Sequence, residues 1–83
     1  MDERLRAVFT RALKLSEPQS SALSGTDSVT SVSNWDSLGH MNLLLGIEKE
    51  FKVSISNNEA LRLVSVAAVQ EFLAKAHAKI GVS

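Results

Sequence analysis

Apolar positions along this chain fall into blocks with a helical repeat, separated by polar stretches that lack one. In the first block Leu5, Val8, Phe9, Ala12 and Leu13 recur at i, i+3, i+4, i+7 and i+8. At about 100° per residue that spacing stacks them on one face and predicts an amphipathic helix over 2–15. Arg4, Arg6, Arg11 and Lys14 lie mostly off that face and read as a solvated basic surface, with a docking patch as the alternative. Pro18 argues against the helix continuing, since it lacks the N–H and crowds the preceding turn.

Residues 16–36 are a different material. Seven serines (16, 20, 21, 24, 28, 31 and 33) stand among Gly25, Thr26, Asp27 and Thr30 with no helical period. Structureless loops of this length are uncommon in compact domains and are usually functional or disordered. Leu23, Val29, Val32 and Trp35 are spaced to pin it, so the reading is a long ordered crossover with a mobile middle.

The second block, 37–51, predicts a helix whose N-cap oxygen comes from Asp36 or Ser37. Leu43, Leu44, Ile47 and Phe51 cover one sector. Leu38, Met41 and Leu45 widen the apolar arc to roughly 220°, beyond the stripe of about 100° that one core contact demands. Either this helix is unusually buried or part of its apolar face is kept for a partner. A break follows around 52–56, and the capping-box spacing Ser56-Asn57-Asn58-Glu59 predicts a short helix over 57–63. Ser65 is placed to cap a last helix over 65–80, with Val66, Val69, Leu73, Ala76 and Ile80 inward and Phe72 beside them. Lys75, His77 and Lys79 suit its C-terminal end, and Gly81 is the expected stop. The predicted fold is all-α: a bundle of three main helices plus a short third helix, a long loop between helices 1 and 2, and one domain over 1–83.

Composition narrows the chemistry. With 83 residues, 45% of them apolar, the chain supports a compact core and argues against disorder. Having no cysteine, it has no disulfides, thiolate metal sites or cysteine nucleophiles. Its two histidines, His40 and His77, are far apart and join no ligand cluster. Zero formal net charge removes the electrostatic footprint of nucleic-acid binding. The longest apolar run, Leu43-Leu44-Leu45, is far short of a membrane span, and Met1-Asp2-Glu3-Arg4 has the wrong character for a secretory signal. The expectation is a cytoplasmic monomer with no membrane span.

The informative stretch is Trp35-Asp36-Ser37-Leu38-Gly39-His40-Met41, at the start of a helix and after a long loop. It resembles the attachment site of the acyl carrier protein family. The continuation through Ile47-Glu48-Lys49-Glu50-Phe51 and then Val53-Ser54-Ile55 is similar too. Helix order and spacing extend the resemblance over nearly the whole chain, although only about 33–55 is specific. It implies that Ser37 carries 4'-phosphopantetheine taken from coenzyme A and that acyl intermediates ride on it as thioesters. It also implies partners: a phosphopantetheinyl transferase that activates the serine and brings Mg²⁺, an acyl- or aminoacyl-activating ligase, and an acyltransferase or synthase. In the family the aspartate matching Asp36 is read by the transferase, and apolar groups matching Leu38, Met41 and Leu45 touch partners beside the arm. The physical case stands beside the resemblance. A covalent carrier needs a reachable hydroxyl, which a loop–helix junction provides, and the free N–H groups and dipole there tolerate a phosphodiester. The bland alternative is that Ser37 is merely an N-cap.

His40 falls in the inward sector near the serine, where it borders the arm or cargo or serves as a half-buried structural histidine. A catalytic role lacks a nucleophile and an orienting acid. Trp35 is expected to pack the loop on the bundle, with contact to the arm or a partner as the alternative. Many fatty-acid carriers bear carboxylates along this helix. Here Gly39, Asn42 and Lys49 occupy the outward region, with Glu48 and Glu50 nearby. Weak electrostatic steering follows, which points to a specialised biosynthetic pathway over housekeeping fatty-acid synthesis. The nearest rivals are an aminoacyl or peptidyl carrier and an unmodified helical module that binds protein through Leu38, Met41 and Leu45. An enzyme is disfavoured, because no nucleophile–base pair, phosphate loop or paired carboxylates are present.

Overall fold

The computed structural model describes the backbone of residues 2–82 and the side chains of 2–76. Its elements are α1 (Glu3–Leu13), α2 (Glu17–Ala22), α3 (Ser37–Phe51), α4 (Asn57–Arg62) and α5 (Val66–Val82). Among the described residues there is no strand, only an isolated antiparallel bridge between Ser28 and Ser65.

In α1 the Asp2 carboxylate accepts from the Arg4 N–H at 2.7 Å, a cap that satisfies one of the four orphan donors. Leu5, Val8, Phe9 and Leu13 are buried, as the spacing predicts. The helix closes at Lys14, which takes the left-handed conformation (φ 52°) and donates its N–H to Thr10 O.

The crossover over 16–36 departs from the sequence reading, because its first part is a helix. Ser16 and Gln19 form a reciprocal capping box, and Pro18 sits in the first turn, where its missing N–H is no loss. Pro18 thus helps to start α2, α1 having already closed at Lys14. Since α2 buries none of its own side chains, it is held from outside. The Arg6 guanidinium donates to Ser20 O and, at 3.0 Å, to Leu23 O, and the Thr10 and Ser20 hydroxyls meet at 2.7 Å. Arg6 is therefore half-buried and structural, which corrects its assignment to a solvated surface. Further along, Leu23 and Trp35 are buried while Val29 and Val32 are half-buried, as expected. The Val29 N–H donates to Val64 O (3.0 Å) and the Val66 N–H to Asp27 O (2.9 Å), tying the crossover to the α4–α5 connection.

The range of α3 matches the predicted one, and it too closes on a left-handed lysine, Lys52 (φ 54°). The Ser56–Glu59 capping box starts α4, and Ser65 Oγ accepts from Ala68 N–H (3.1 Å) at the start of α5. The helix α5 runs through Gly81 to Val82, so Gly81 does not stop it. A glycine lowers helix propensity by about 1 kcal/mol but removes no backbone hydrogen bond. The side chains of His77, Lys79 and Ile80 lie outside the described residues.

One hydrophobic cluster joins α1, α3 and α5 through Leu5, Phe9, Leu43, Ile47, Val66 and Val69, each almost wholly buried. Its lower end is clasped where Arg4 lies over the Phe51 ring (4.8 Å) and meets Glu50 Oε2 (3.1 Å). At the upper end Phe9 packs edge-on to Trp35, with centroids 5.3 Å apart. No helix among the described residues is long and apolar enough to cross a membrane.

Candidate functional site

The junction between the crossover and α3 is built from both sides. On the crossover side, Asn34 Nδ2 donates to the carbonyls of Leu13 (3.0 Å) and Lys14 (3.3 Å), using two of the acceptors that the end of α1 leaves free. Trp35 follows with its indole buried at 4% exposure against Phe9. Asp36 then caps α3, its Oδ1 accepting from the Gly39 N–H at 2.8 Å. The choice of cap that the sequence leaves open, Asp36 or Ser37, is settled in favour of Asp36.

That choice frees Ser37. It is the first residue of α3, exposed, and its hydroxyl makes no hydrogen bond among the described residues. With a carboxylate already serving the first turn, Ser37 does no capping work. It presents an oxygen to solvent beside the positive end of a helix dipole.

Gly39 was expected on the outward face and is instead buried. A Cβ there would stand 2.7 Å from Asn34 O and 2.9 Å from Leu13 Cδ2. Only a glycine lets the crossover backbone lie this close to α3, so residue 39 sets the depth at which the junction seats. Asn34 and Gly39 are the two site-forming residues that pattern reading missed. Neither has a periodic or motif signature, since each works by a long-range contact.

Leu38, Met41 and Leu45 emerge on the outside, 69%, 61% and 59% exposed. Of the two readings of the wide apolar arc, burial is therefore excluded for these three. Leu61 and Val64, in and just after α4, add further exposed apolar surface. Beside the junction on the α1 side lies a shallow groove of about 290 Å³, bordered by Lys14, Asn34, Asp36, Leu38 and Asn42.

His40 sits one turn into α3, half-buried. Its Nδ1 accepts from the Trp35 indole N–H at 2.9 Å and its Nε2 meets Ala60 O at 3.0 Å, and the two rings stack at 6.2 Å. Both ring nitrogens are thus engaged within the fold, which is the structural role among the readings offered for this residue. Trp35 packs the loop on the bundle as expected, with its indole away from solvent.

The carboxylates at the far end of α3 are engaged within the fold. Glu48 Oε2 accepts from the Ile55 N–H (2.9 Å), and Glu50 is shared by Arg4 (3.1 Å) and Arg11 (3.8 Å). No group of three potential metal-ligating side chains comes together among the described residues. No known protein-family model matches the chain.

Proposed function

We propose that this chain is an acyl carrier whose Ser37 takes a 4'-phosphopantetheine arm from coenzyme A as a phosphodiester, with adenosine 3',5'-bisphosphate leaving and the serine proton passing to a base of the transferase. The observation that carries the reading is an exposed, unbonded hydroxyl at the first position of α3, relieved of capping by the aspartate before it. The surroundings suit the group. The hydroxyl is reachable, the first-turn N–H groups and the helix dipole favour a phosphodiester, and an adjacent groove offers the polar edges of Asn42 and Lys14. When bound, the arm supplies a thiol on which cargo is held as a thioester.

The chain's own residues display and identify that point. Asp36 holds the first turn and stands next to the serine as a charged mark for the transferase. Asn34, Trp35 and Gly39 fix the backbone of the junction, so that the serine is offered from one position. Leu38, Met41 and Leu45 give the ligase and the acyltransferase or synthase an apolar surface beside the arm. No base for the serine is required here, because the transferase supplies it with Mg²⁺. Further along α3, Glu48 and Glu50 are engaged in internal hydrogen bonds and ion pairs, and this supports partners chosen by shape and apolar contact. Such recognition fits a dedicated biosynthetic pathway in the cytoplasm.

The test is incubation with coenzyme A, Mg²⁺ and a broad-specificity phosphopantetheinyl transferase, followed by intact mass. One phosphopantetheine should be added to the native chain and none to Ser37→Ala. An unmodified native chain, or an adduct that persists in the variant, would sink the proposal. It would leave the rival in which Leu38, Met41 and Leu45 bind a protein without modification.

A further inference from the structure

We infer that His40 is a positioning residue for the chemistry at Ser37, stapling the loop–helix junction across the serine and tying that junction to α4. What happens at Ser37 rests on the carrier reading; the staple itself does not.

An indole N–H can only donate, so His40 Nδ1 at 2.9 Å must accept with its lone pair. The proton of the neutral ring is then on Nε2, which donates to Ala60 O at 3.0 Å. The two partners therefore assign the tautomer. Residues 35 and 40 bracket Ser37, so the indole–imidazole bond closes a short span of chain with the serine inside it. Within that span the Asp36–Gly39 cap at 2.8 Å closes a smaller one. Both flanks of a hydroxyl that makes no hydrogen bond of its own are thereby fixed.

The far end of the relay is α4. A surface helix ordinarily seats itself through an apolar stripe, but α4 buries none of its own side chains. Its entry is held by the Glu48–Ile55 bond and its exit by buried Leu63. Between them His40 adds a polar tie from α3 to the carbonyl of Ala60. Leu61, the next residue, is 77% exposed, and Met41 is exposed beside His40. A partner or an apolar cargo group pressing on Leu61 or Met41 therefore loads the His40–Ala60 bond. Any turn of the imidazole is passed through Trp35 to the junction that presents the serine. The relay makes the position of α4 and the orientation of Ser37 one variable.

The experiment compares the native chain with His40→Phe, which keeps a ring but no hydrogen-bonding nitrogen, and His40→Gln, whose amide carries both an acceptor and a donor. Amide hydrogen exchange across α4 should be about fivefold faster or more in His40→Phe, the factor that loss of a hydrogen bond of about 1 kcal/mol gives. The Trp35 indole and Ser37 amide resonances should move with it, while exchange in the α1 core stays unchanged. Transferase-catalysed modification of Ser37 should lose several-fold in kcat/KM, mainly through KM, and His40→Gln should recover part of both effects. His40→Asn, which is too short to span both partners, takes the place of His40→Phe if the latter does not fold. Unchanged exchange in α4, a rise shared equally by the whole chain, or a loosened α4 with Ser37 resonances unmoved would each overturn the inference. A native chain that takes no adduct removes the carrier reading alone. Exchange and the Ser37 resonance still decide the staple.

Discussion

Gly39→Ala is expected to destabilise this protein, although Gly→Ala inside a helix ordinarily stabilises by about 1 kcal/mol. The new Cβ would stand 2.7 Å from Asn34 O, 2.9 Å from Leu13 Cδ2 and 3.1 Å from Asp36 Oδ1. The first of these is backbone and cannot retreat cheaply, because the Asn34 side chain is bonded to the end of α1. The second belongs to a leucine of the core, with 3% exposure. Overpacking of this kind costs about 1–3 kcal/mol. Displacing Asp36 weakens a cap typically worth about 1 kcal/mol. After the propensity gain is set against these, a loss of about 1–3 kcal/mol remains. At about 4–8 °C per kcal/mol for a chain of this size, Tm should fall by roughly 5–20 °C. Thermal and urea melts followed by circular dichroism measure this, with Gly46→Ala as the control in the same helix. There the Cβ would meet only Val8 Cγ1, at 3.0 Å, and a side-chain methyl need give by only a few tenths of an ångström. Little change or a small gain is expected for the control. If Gly39→Ala raised Tm as much as Gly46→Ala, the account of the junction as a backbone-to-helix contact would be refuted.

Two further outcomes follow from the same geometry. Arg6→Met should destabilise by about 1–2 kcal/mol, because it removes charged donors from the carbonyl end of α2, and Arg6→Lys should restore only part of this. Urea midpoints together with faster amide exchange confined to α2 would show it; an unchanged midpoint would mean that the guanidinium does not hold that helix. Lys52→Gly should stabilise by about 0.5–1 kcal/mol, since the position is left-handed (φ 54°) and exposed and its side chain makes no described ion pair. A fall in Tm would show that the side chain contributes more than the backbone conformation costs.

How far the sequence could be read depended on whether an element is defined by its own period. The helix α3 was legible to the residue, and α1, α4 and α5 were legible within a few residues, because apolar spacing and capping-box serines announce them. By contrast α2 buries nothing, so it has no apolar period to detect. Its one local sign was the Ser16–Gln19 spacing around Pro18, the same device that revealed α4, and the proline was read only as a stop. Arg6 was misplaced for a related reason. A helical wheel shows that it leaves the α1 core face but not that another helix end lies there to receive it. Within the site, Ser37 and Asp36 were visible as a motif, whereas the wide apolar arc left Leu38, Met41 and Leu45 open to either burial or exposure, and only the fold decides for exposure. Asn34 and Gly39 were not visible, since a side-chain amide at the end of a distant helix and a missing Cβ leave no trace in spacing.

The two faces of α3 show why the junction is built as it is. On the carrier reading proposed above, α3 would have to bury one side firmly while leaving the first-turn hydroxyl unbonded, and those demands conflict at a helix start. The first-turn N–H groups recruit whatever oxygen is near, and a serine is among the best recruits. Placing Asp36 immediately ahead resolves the conflict, because the carboxylate takes the Gly39 N–H and Ser37 is released to solvent. It follows that Asp36 has a structural duty whether or not a transferase reads it. A loss of modification in an Asp36 variant would not by itself identify a recognition contact, because Ser37 could then be drawn into capping. Asp36→Asn separates the two roles, since its amide oxygen still caps while its charge is gone. Normal modification of that variant would leave Asp36 only its structural duty, and failed modification with an intact cap would place the carboxylate's charge in the encounter with the transferase.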